Sequence, residues 1–449
     1  MAYLIDTQPE RKQKPQLPLE AKLKRFKWLY VLAMIALVIQ SGLLFLSLFA
    51  PGLPYRISKA TAEDLQSEHF IQTLEALTQA PERNVAKAEV FTNGEHFYEA
   101  ELAAIRQAKR SINLEAYIVQ RGEITKKLAE ALAERARAGV RVNLLIDAIG
   151  ALSLSKDVFK DMISAGGELQ WYHPVRWDTW PRINNRTHRE ILIVDGVIGF
   201  IGGAGWADHW YKGKDNEPRW RDTMVRAEGD AAAGLQSVFA ENWLEASGEI
   251  LTGWEYFPYI KSAITTPSLV VGSTPTTGES TTARVLFQTL LASAKKSIYV
   301  TTPYFLPDSS ARNELVRAVK ERHVDVRIIV PGIHNDHLLT RSSSRRLYGD
   351  VLEAGGKIFE YQPAMIHAKI LIIDGVWSVV GSTNFDSRSF GINDEVNMAV
   401  LDSGLASRLA EDFWKDIGQS REITLQQWKN RPHIERAAES FGALLERQQ

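Results

Sequence analysis

The sequence predicts an α/β protein built as two similar α/β sandwich halves in tandem, related like a pseudo-two-fold dimer, behind one transmembrane helix. Three observations carry this. A charge-free apolar run stands near the N-terminus. From residue 86 onward the chain repeats itself in the same order, and such internal repeats set the architecture before any local reading does. Within each repeat, amphipathic stretches of helical period alternate with short β-branched runs, the pattern of a sheet covered by helices.

The apolar run is Leu29 to Phe49, in which Gln40 is the strongly polar side chain. About 20 such residues at ~1.5 Å rise span a ~30 Å hydrocarbon core. Trp28 and Tyr30 stand where an interfacial aromatic belt belongs. Residues 1–28 form a basic tail with Arg11, Lys12, Lys14, Lys22, Lys24, Arg25 and Lys27. The positive-inside rule then predicts a single-pass membrane protein with a cytoplasmic N-terminus and everything after residue 50 outside the cytoplasm. A cleaved signal peptide fits less well, because the run is long and Phe49-Ala50-Pro51 is a poor cleavage site. Within segment 50–85, Thr61 to Ala80 has helical periodicity and reads as a juxtamembrane helix.

The repeat assigns residues 86–261 to a first half and 283–449 to a second. Ala108-Lys-Arg-Ser-Ile-Asn-Leu matches Ala294-Lys-Lys-Ser-Ile-Tyr-Val; Gly139-Val-Arg-Val-Asn-Leu-Leu matches Val324-Asp-Val-Arg-Ile-Ile-Val; Ala165-Gly-Gly-Glu matches Ala354-Gly-Gly-Lys. Helices are expected at Glu99–Gln107 and Ile124–Ala138 in one half, and at Phe287–Ala292 and Asn313–Arg322 in the other. Residues 262–282, rich in Ser, Thr, Gly and Pro, read as a linker. Trp171 to Thr187 is an insertion of the first half, and its tryptophans suit a bilayer interface. Ile423 to Gln449 reads as helix with a break at Arg431-Pro432.

Bulk composition narrows the function. The net charge of −1 gives no basic field for nucleic acid, so none is expected as a partner. Zero cysteines exclude disulfides, thiolate metal sites and a cysteine nucleophile. No H-E-x-x-H spacing exists, so neither a metal nor a cofactor is expected.

The chemistry is carried by a pattern written twice. His367-Ala368-Lys369 is followed by four residues and Asp374-Gly375; His188-Arg189-Glu190 is followed by four residues and Asp195-Gly196. Strand alternation puts His367, Lys369 and Leu371 on one face. An imidazole that attacks or protonates, beside an ammonium that holds non-bridging oxygens, suits a phosphoryl group. Asp374 is placed to anchor an imidazole Nδ1–H across an interface, with Glu395 a second candidate. Gly381 to Ser389 is dense in small hydrogen-bonding side chains, which suits an anion cradle.

His367-x-Lys369-x4-Asp374-Gly375 followed by Gly381-Ser382-x-Asn384 resembles the C-terminal HKD motif of the phospholipase D superfamily. The resemblance covers roughly residues 86–430 and is nearest to bacterial cardiolipin synthases. It implies two phospholipase D-like domains with both motifs at one interface. It also implies phospholipid substrates at a membrane bilayer and a metal-free ping-pong transfer of a phosphatidyl group. His188, Asp195, His367, Lys369 and Asp374 would be catalytic, with His188 the usual nucleophile and His367 the general acid. Ser382, Asn384, Glu395, Glu190, Asp222 and Glu115 are expected to line the substrate site.

The first copy departs at Glu190, where the family has Lys, and Gly203 and Gly205 stand opposite Ser382 and Asn384. Two like charges ~4–5 Å apart cost roughly 3–4 kcal/mol at an effective dielectric of 20, so an ionised Glu190 would repel a phosphodiester. Arg182 or Arg186 is placed to neutralise it, whereas Arg189 points to the opposite face. Asp222 occupies the position of Glu395 and is able to orient an imidazole. Alternatives stay open: a phosphodiesterase that hydrolyses phospholipid or nucleic acid, and a catalytically impaired lipid-binding homologue. Arg341, Arg345 and Arg346 suit either a headgroup or a solvated helix face, and Asp147 either an orienter or a cap. The remaining histidines read as surface or core residues.

Overall fold

The computed structural model describes residues 19–49, 55–57, 64–432 apart from 178, 180–181, 215–216, 261–265, 276–280 and 337, and 436. Two compact units result, Met1–Leu53 and Pro54–Gln449. In the first, one helix runs from Leu19 to Phe49. It starts earlier than the apolar run because Leu19 to Lys27 holds only helix-compatible residues, with no proline between Pro18 and Pro51. Its stretch Phe26–Leu43 is long and apolar enough to cross a membrane. Residues 1–18, most of the expected basic tail, lie outside the described residues.

The second unit is organised by one 15-stranded sheet rather than by a separate sheet in each half. The seam is the antiparallel pair Glu82–Thr92 and Thr266–Ser273. The expected linker therefore holds the strand that joins the halves, and Leu269, Val270 and Val271 bury on it. Outward on one side come Thr223–Gly229, Ile198–Gly202, Ile191–Val194, Ser111–Ala116, Arg141–Asp147 and Glu168–Tyr172. Outward on the other come Glu395–Leu401, Trp377–Gly381, Ile370–Ile373, Ser297–Thr301, Asp325–Pro331 and Lys357–Tyr361. The order is the same on both sides, which is the pseudo-two-fold predicted from the repeat.

The outer three strands of each series are parallel. The strand that follows each motif histidine runs antiparallel to them. Each histidine therefore enters the sheet at the carboxyl ends of the parallel strands, the edge where α/β sheets place their ligands.

Alternation holds along the second motif. Leu371 and Ile373 bury in the core of the second half, while Ala368, Ile370 and Ile372 bury on the other face. That other core is shared: Leu235, Phe239 and Trp243 of helix Ala231–Ser247 meet Leu405 and Leu409 of helix Ser403–Gly418 there. The expected flanking helices are present, at Gly94–Gln107, Glu123–Arg137, Thr282–Ser293 and Ser309–Arg322, the second shifted by one residue and the other three longer.

Three segments differ from expectation. Of the expected juxtamembrane helix, Thr61 to Glu63 lie outside the described residues, and the described helix is Glu68–Thr78, started by the Ser67 side chain accepting from the Phe70 amide. It is no spacer, because Phe70, Ile71 and Leu74 bury in the core of the second half. Of the C-terminal helix expected from Ile423, residues 433–435 and 437–449 lie outside the described residues. Ile423 itself ends a strand, Ser420–Ile423, paired with Lys357–Tyr361, and the described part before the break is a short helix Leu425–Lys429. A capping box of Thr424 and Gln427 fixes that start. In the insertion, Tyr172 and His173 are buried while Trp177 is 91% exposed; Trp180 lies outside the described residues.

Candidate active site

The two motif histidines sit on segments that reach across to the opposite half. Thr187 bridges Asp394, and the His188 amide donates to the Asp394 carbonyl at 2.8 Å. In mirror fashion Ile366 bridges Arg221, and the His367 amide donates to the Arg221 carbonyl at 2.7 Å. Backbone hydrogen bonds at the seam thus fix both imidazoles.

The side chains repeat the crossing. His188 Nδ1 lies 3.0 Å from the Ser382 carbonyl and 3.3 Å from Glu395 Oε2. His367 Nδ1 lies 3.1 Å from Asp222 Oδ2. Each imidazole is held by a carboxylate of the other half. Ser382 Oγ donates to Glu395, and the Trp210 indole donates to Asp222 Oδ2 at 3.0 Å, so both carboxylates are themselves positioned. Burial pushes Asp222 up, but His367 and Lys369 more than offset it and hold it below its ordinary value.

Lys369 is buried against His367. Its Nζ lies 2.8 Å from Nδ1 and 3.1 Å from Nε2, with carbonyls of His367 and Gly203 at 3.1 and 3.4 Å. Gly203 permits this approach: a Cβ there would stand 2.8 Å from the lysine stem. Burial and then the Lys369 charge lower the His367 pKa, against Asp222. Burial also lowers Lys369, against Asp222, Glu395 and Glu190.

Glu190 lies at the position equivalent to Lys369, and its environment differs from the sequence expectation. Neither candidate arginine reaches it. Arg182 pairs with Glu245, and Arg186 pairs with Asp147 at 3.2 Å. Instead Glu190 Oε1 accepts from the Tyr117 and Ile118 amides at 3.1 and 3.2 Å. Burial pushes this carboxyl well above the usual carboxylate range, against those amides and Lys369. A carboxyl shifted in that direction repels a phosphodiester less than a fully ionised glutamate would. Arg189 does point to the opposite face, where it pairs with Glu241 at 2.8 Å.

The aspartates of the pattern are elsewhere. Asp195 and Asp374 occupy turns at φ 55° and 54°. Asp195 accepts from the Lys109, Arg110 and Ser111 amides at 2.7 to 3.1 Å. Asp374 accepts from Lys295, Lys296 and Ser297 at 2.7 to 3.2 Å. The anchoring of an imidazole expected of Asp374 is corrected here: that carboxylate ties a turn to a strand start, and Asp222 and Glu395 hold the rings.

Among the other expected lining residues, Asn384 is buried, and its Oδ1 has no hydrogen-bond partner among the described residues. Glu115 lies beneath the His188 turn, accepting from Thr187 Oγ1 and from Asn242 at 2.7 Å. Tyr117 stacks obliquely on His188, ring centroids 5.2 Å apart. Asp147 caps its own turn, accepting from the Ile149 and Gly150 amides at 2.8 and 3.0 Å. Arg341 and Arg345 approach the buried carboxylate of Glu360 at 3.8 and 3.3 Å. The sequence reading missed an aromatic wall. Trp210 and Trp220 lie 5.2 and 5.5 Å from the His367 ring between centroids, and His209, its pKa lowered to about 3 mainly by burial, packs at a tilt of 42° against both. Counting from Asp195 as from Asp374 places Trp206 to Trp210 beside the phosphate-cradle segment of the other half, a signal the spacing does contain.

A seam with two imidazoles, each tied at Nδ1, leaves the Nε2 atoms for group transfer beside one ammonium. The model of the cardiolipin synthase, phospholipase D-like domain matches residues 102–243 and 287–417. The chain belongs to that family. A cardiolipin synthase of Alkalihalophilus pseudofirmus is 32% identical over 94% of this chain and 88% of its own. One of Geobacillus kaustophilus is 34% identical over 82% of this chain and 73% of its own. The fold is similar to that of a phosphatidylserine synthase from Haemophilus influenzae, with a TM-score of 0.67, 14% identity, and coverage of 85% of this chain and 100% of that one. Family membership makes the chain a phospholipid phosphatidyltransferase.

Proposed function

We propose that the protein is a membrane-anchored phosphatidyltransferase of cardiolipin-synthase type. It moves a phosphatidyl group from a phospholipid donor to an alcohol acceptor such as phosphatidylglycerol, through a phosphohistidine. The observation that carries this is the crossed pairing, His188 with Glu395 and His367 with Asp222. A ping-pong transfer needs one imidazole to bond phosphorus and another to move the proton of the departing and arriving alcohols. Nδ1–H donated to a carboxylate fixes the tautomer that presents Nε2 in both.

Lys369 supplies the cation that holds non-bridging oxygens as negative charge gathers. Asn384 Oδ1, buried and unpartnered, is available to a hydroxyl arriving with substrate. The apolar helix fits an inner-membrane protein, and the basic tail before it supports a cytoplasmic N-terminus. Exposed Leu152, Val175, Trp177 and Ile333 follow the carboxyl ends of the parallel strands, which suits lipid approaching from a bilayer.

The test is purified full-length protein in vesicles of phosphatidylglycerol. The expected products are cardiolipin and glycerol in equal amounts. Phosphatidic acid in place of cardiolipin would reassign the protein to hydrolysis. No product at all, from protein shown to be folded by its melting transition, would refute the proposal.

A further inference from the structure

We infer that His367, not His188, bonds to phosphorus in this protein, and that His188 is the acid and base. The inference rests on the phosphohistidine reading above and reverses the order the resemblance implies.

The two imidazoles are placed differently. At His367 the Nδ1 hydrogen belongs to Asp222, and the Lys369 ammonium rests on the ring, 2.8 Å from Nδ1 and 3.1 Å from Nε2, where its charge opposes a second proton. A ring without that proton has at Nε2 the free lone pair that a nucleophile needs. The same ammonium is within reach of the oxygens of a phosphoryl group bound to that nitrogen. Trp210 and Trp220 wall the ring, and water is kept from a phosphohistidine formed there.

At His188 no cation stands in the equivalent place. The residue there is Glu190, engaged with two amides. Glu395 Oε2 lies 3.3 Å from its Nδ1, and His188 is the more open of the two, with 12% of its side chain exposed against 5% for His367. A partly open imidazole with no ammonium against its ring suits proton exchange with the leaving and arriving alcohols.

The steps balance. The His367 Nε2 lone pair forms the N–P bond as the P–O bond to the leaving alcohol breaks, and His188 gives its Nε2 proton to that oxygen. The acceptor hydroxyl then loses its proton to His188 as its oxygen bonds phosphorus. The N–P electron pair returns to His367.

The test uses a phosphatidyl donor with a p-nitrophenol leaving group, which departs without a proton. Wild-type enzyme is quenched in alkali during the first turnover and the adduct is mapped by mass spectrometry. The expected adduct is on the peptide holding His367. The His188→Ala variant should still release a burst of p-nitrophenolate, about one per active site, and accumulate the same adduct. The His367→Ala variant should give neither.

An adduct on His188 in wild type, or a burst from His367→Ala, overturns the assignment while leaving the phosphatidyl transfer intact. Transfer by wild type with no adduct on either histidine overturns it as well. Absence of transfer by wild type sinks the underlying reading, and this assignment with it. The wild-type mapping needs no variant, so a variant that fails to fold does not decide the matter.

Discussion

In the second half the residue two places after the motif histidine is a lysine whose Nζ rests on the imidazole. In the first half it is a glutamate whose carboxyl turns back onto two amides of its own half. Strand order, turn geometry and crossed carboxylates are otherwise shared. The comparison shows how a duplicated site becomes unequal without losing its frame. The fold supplies each imidazole with a partner from the other half, and a single side chain then decides which imidazole has a cation. A symmetric frame tolerates this because the glutamate is buried, amide-bonded and held toward its neutral form, so it does not present a full negative charge to a phosphodiester.

The largest effect should come from separating the two histidines by leaving group. With an ordinary phospholipid donor, His188→Ala and His367→Ala should each lose about a thousandfold or more in turnover. With a p-nitrophenyl donor, His188→Ala should recover to within about tenfold of wild type for the first half-reaction, because no proton is needed. His367→Ala should not recover. Equal recovery of both variants would make the halves equivalent and break the comparison.

Next in size is the cation. Lys369→Met should lower kcat by about 10²–10³-fold, the range for removal of one preorganised charge from a buried site. Glu190→Gln keeps the shape and the neutral state, and should change kcat by less than about threefold. A large loss in Glu190→Gln would show that the ionised form is the working one. Both are read from initial rates at saturating donor.

The shared frame gives a contrast of another kind. Asp374 accepts from three consecutive amides at the start of strand Ser297–Thr301. Asp374→Ala should cost about 3 kcal/mol or more of stability, since bonds from amides to a charged group are worth about 1.5–3 kcal/mol each. The folded fraction should keep its kcat. Asp374→Asn should cost less, because asparagine tolerates the positive φ of that turn. A fall in kcat with unchanged melting would place Asp374 in the chemistry after all.

Much of this was legible in the sequence, for physical reasons. The repeat is a matter of order, and the sheet keeps that order on both sides of its seam. The pairs His367/Lys369 and His188/Glu190 follow from strand alternation, which is local. Glu395 and Asp222 were legible as candidate orienters of an imidazole, but not which histidine each holds, because their contacts cross between halves that are far apart in sequence. The joining strand Thr266–Ser273 was hidden by composition: serine, threonine and glycine flank a short Leu-Val-Val core, and only pairing with Glu82–Thr92 makes it a strand. The aspartates of the pattern misled because an acidic residue after a catalytic-looking strand invites a role at the ring. The start of the neighbouring strand offers three consecutive amides at close range.

Glu115 marks the floor of the site in the half that lacks the lysine, and it tests whether that floor is merely structural. Burial raises its carboxyl from 4.5 to about 7, against Arg189 and the donors Thr187 and Asn242. A raised pKa means that the folded protein binds this proton more tightly than the unfolded chain does. Its stabilising effect is complete below about pH 4.5, declines as pH rises, and is gone once pH passes about 7. The span corresponds to no more than about 3 kcal/mol. Glu115→Gln cannot ionise and lacks this decline. Melting of wild type and variant compared from pH 5 to pH 8 should therefore shift steadily in the variant's favour, with kcat at pH 7 within about twofold. A difference in melting that stays constant with pH would mean that Glu115 is ionised throughout. The carboxylate would then be a permanent counter-charge to Arg189 beneath His188, and the two halves would differ in their floors as well as in their lysine.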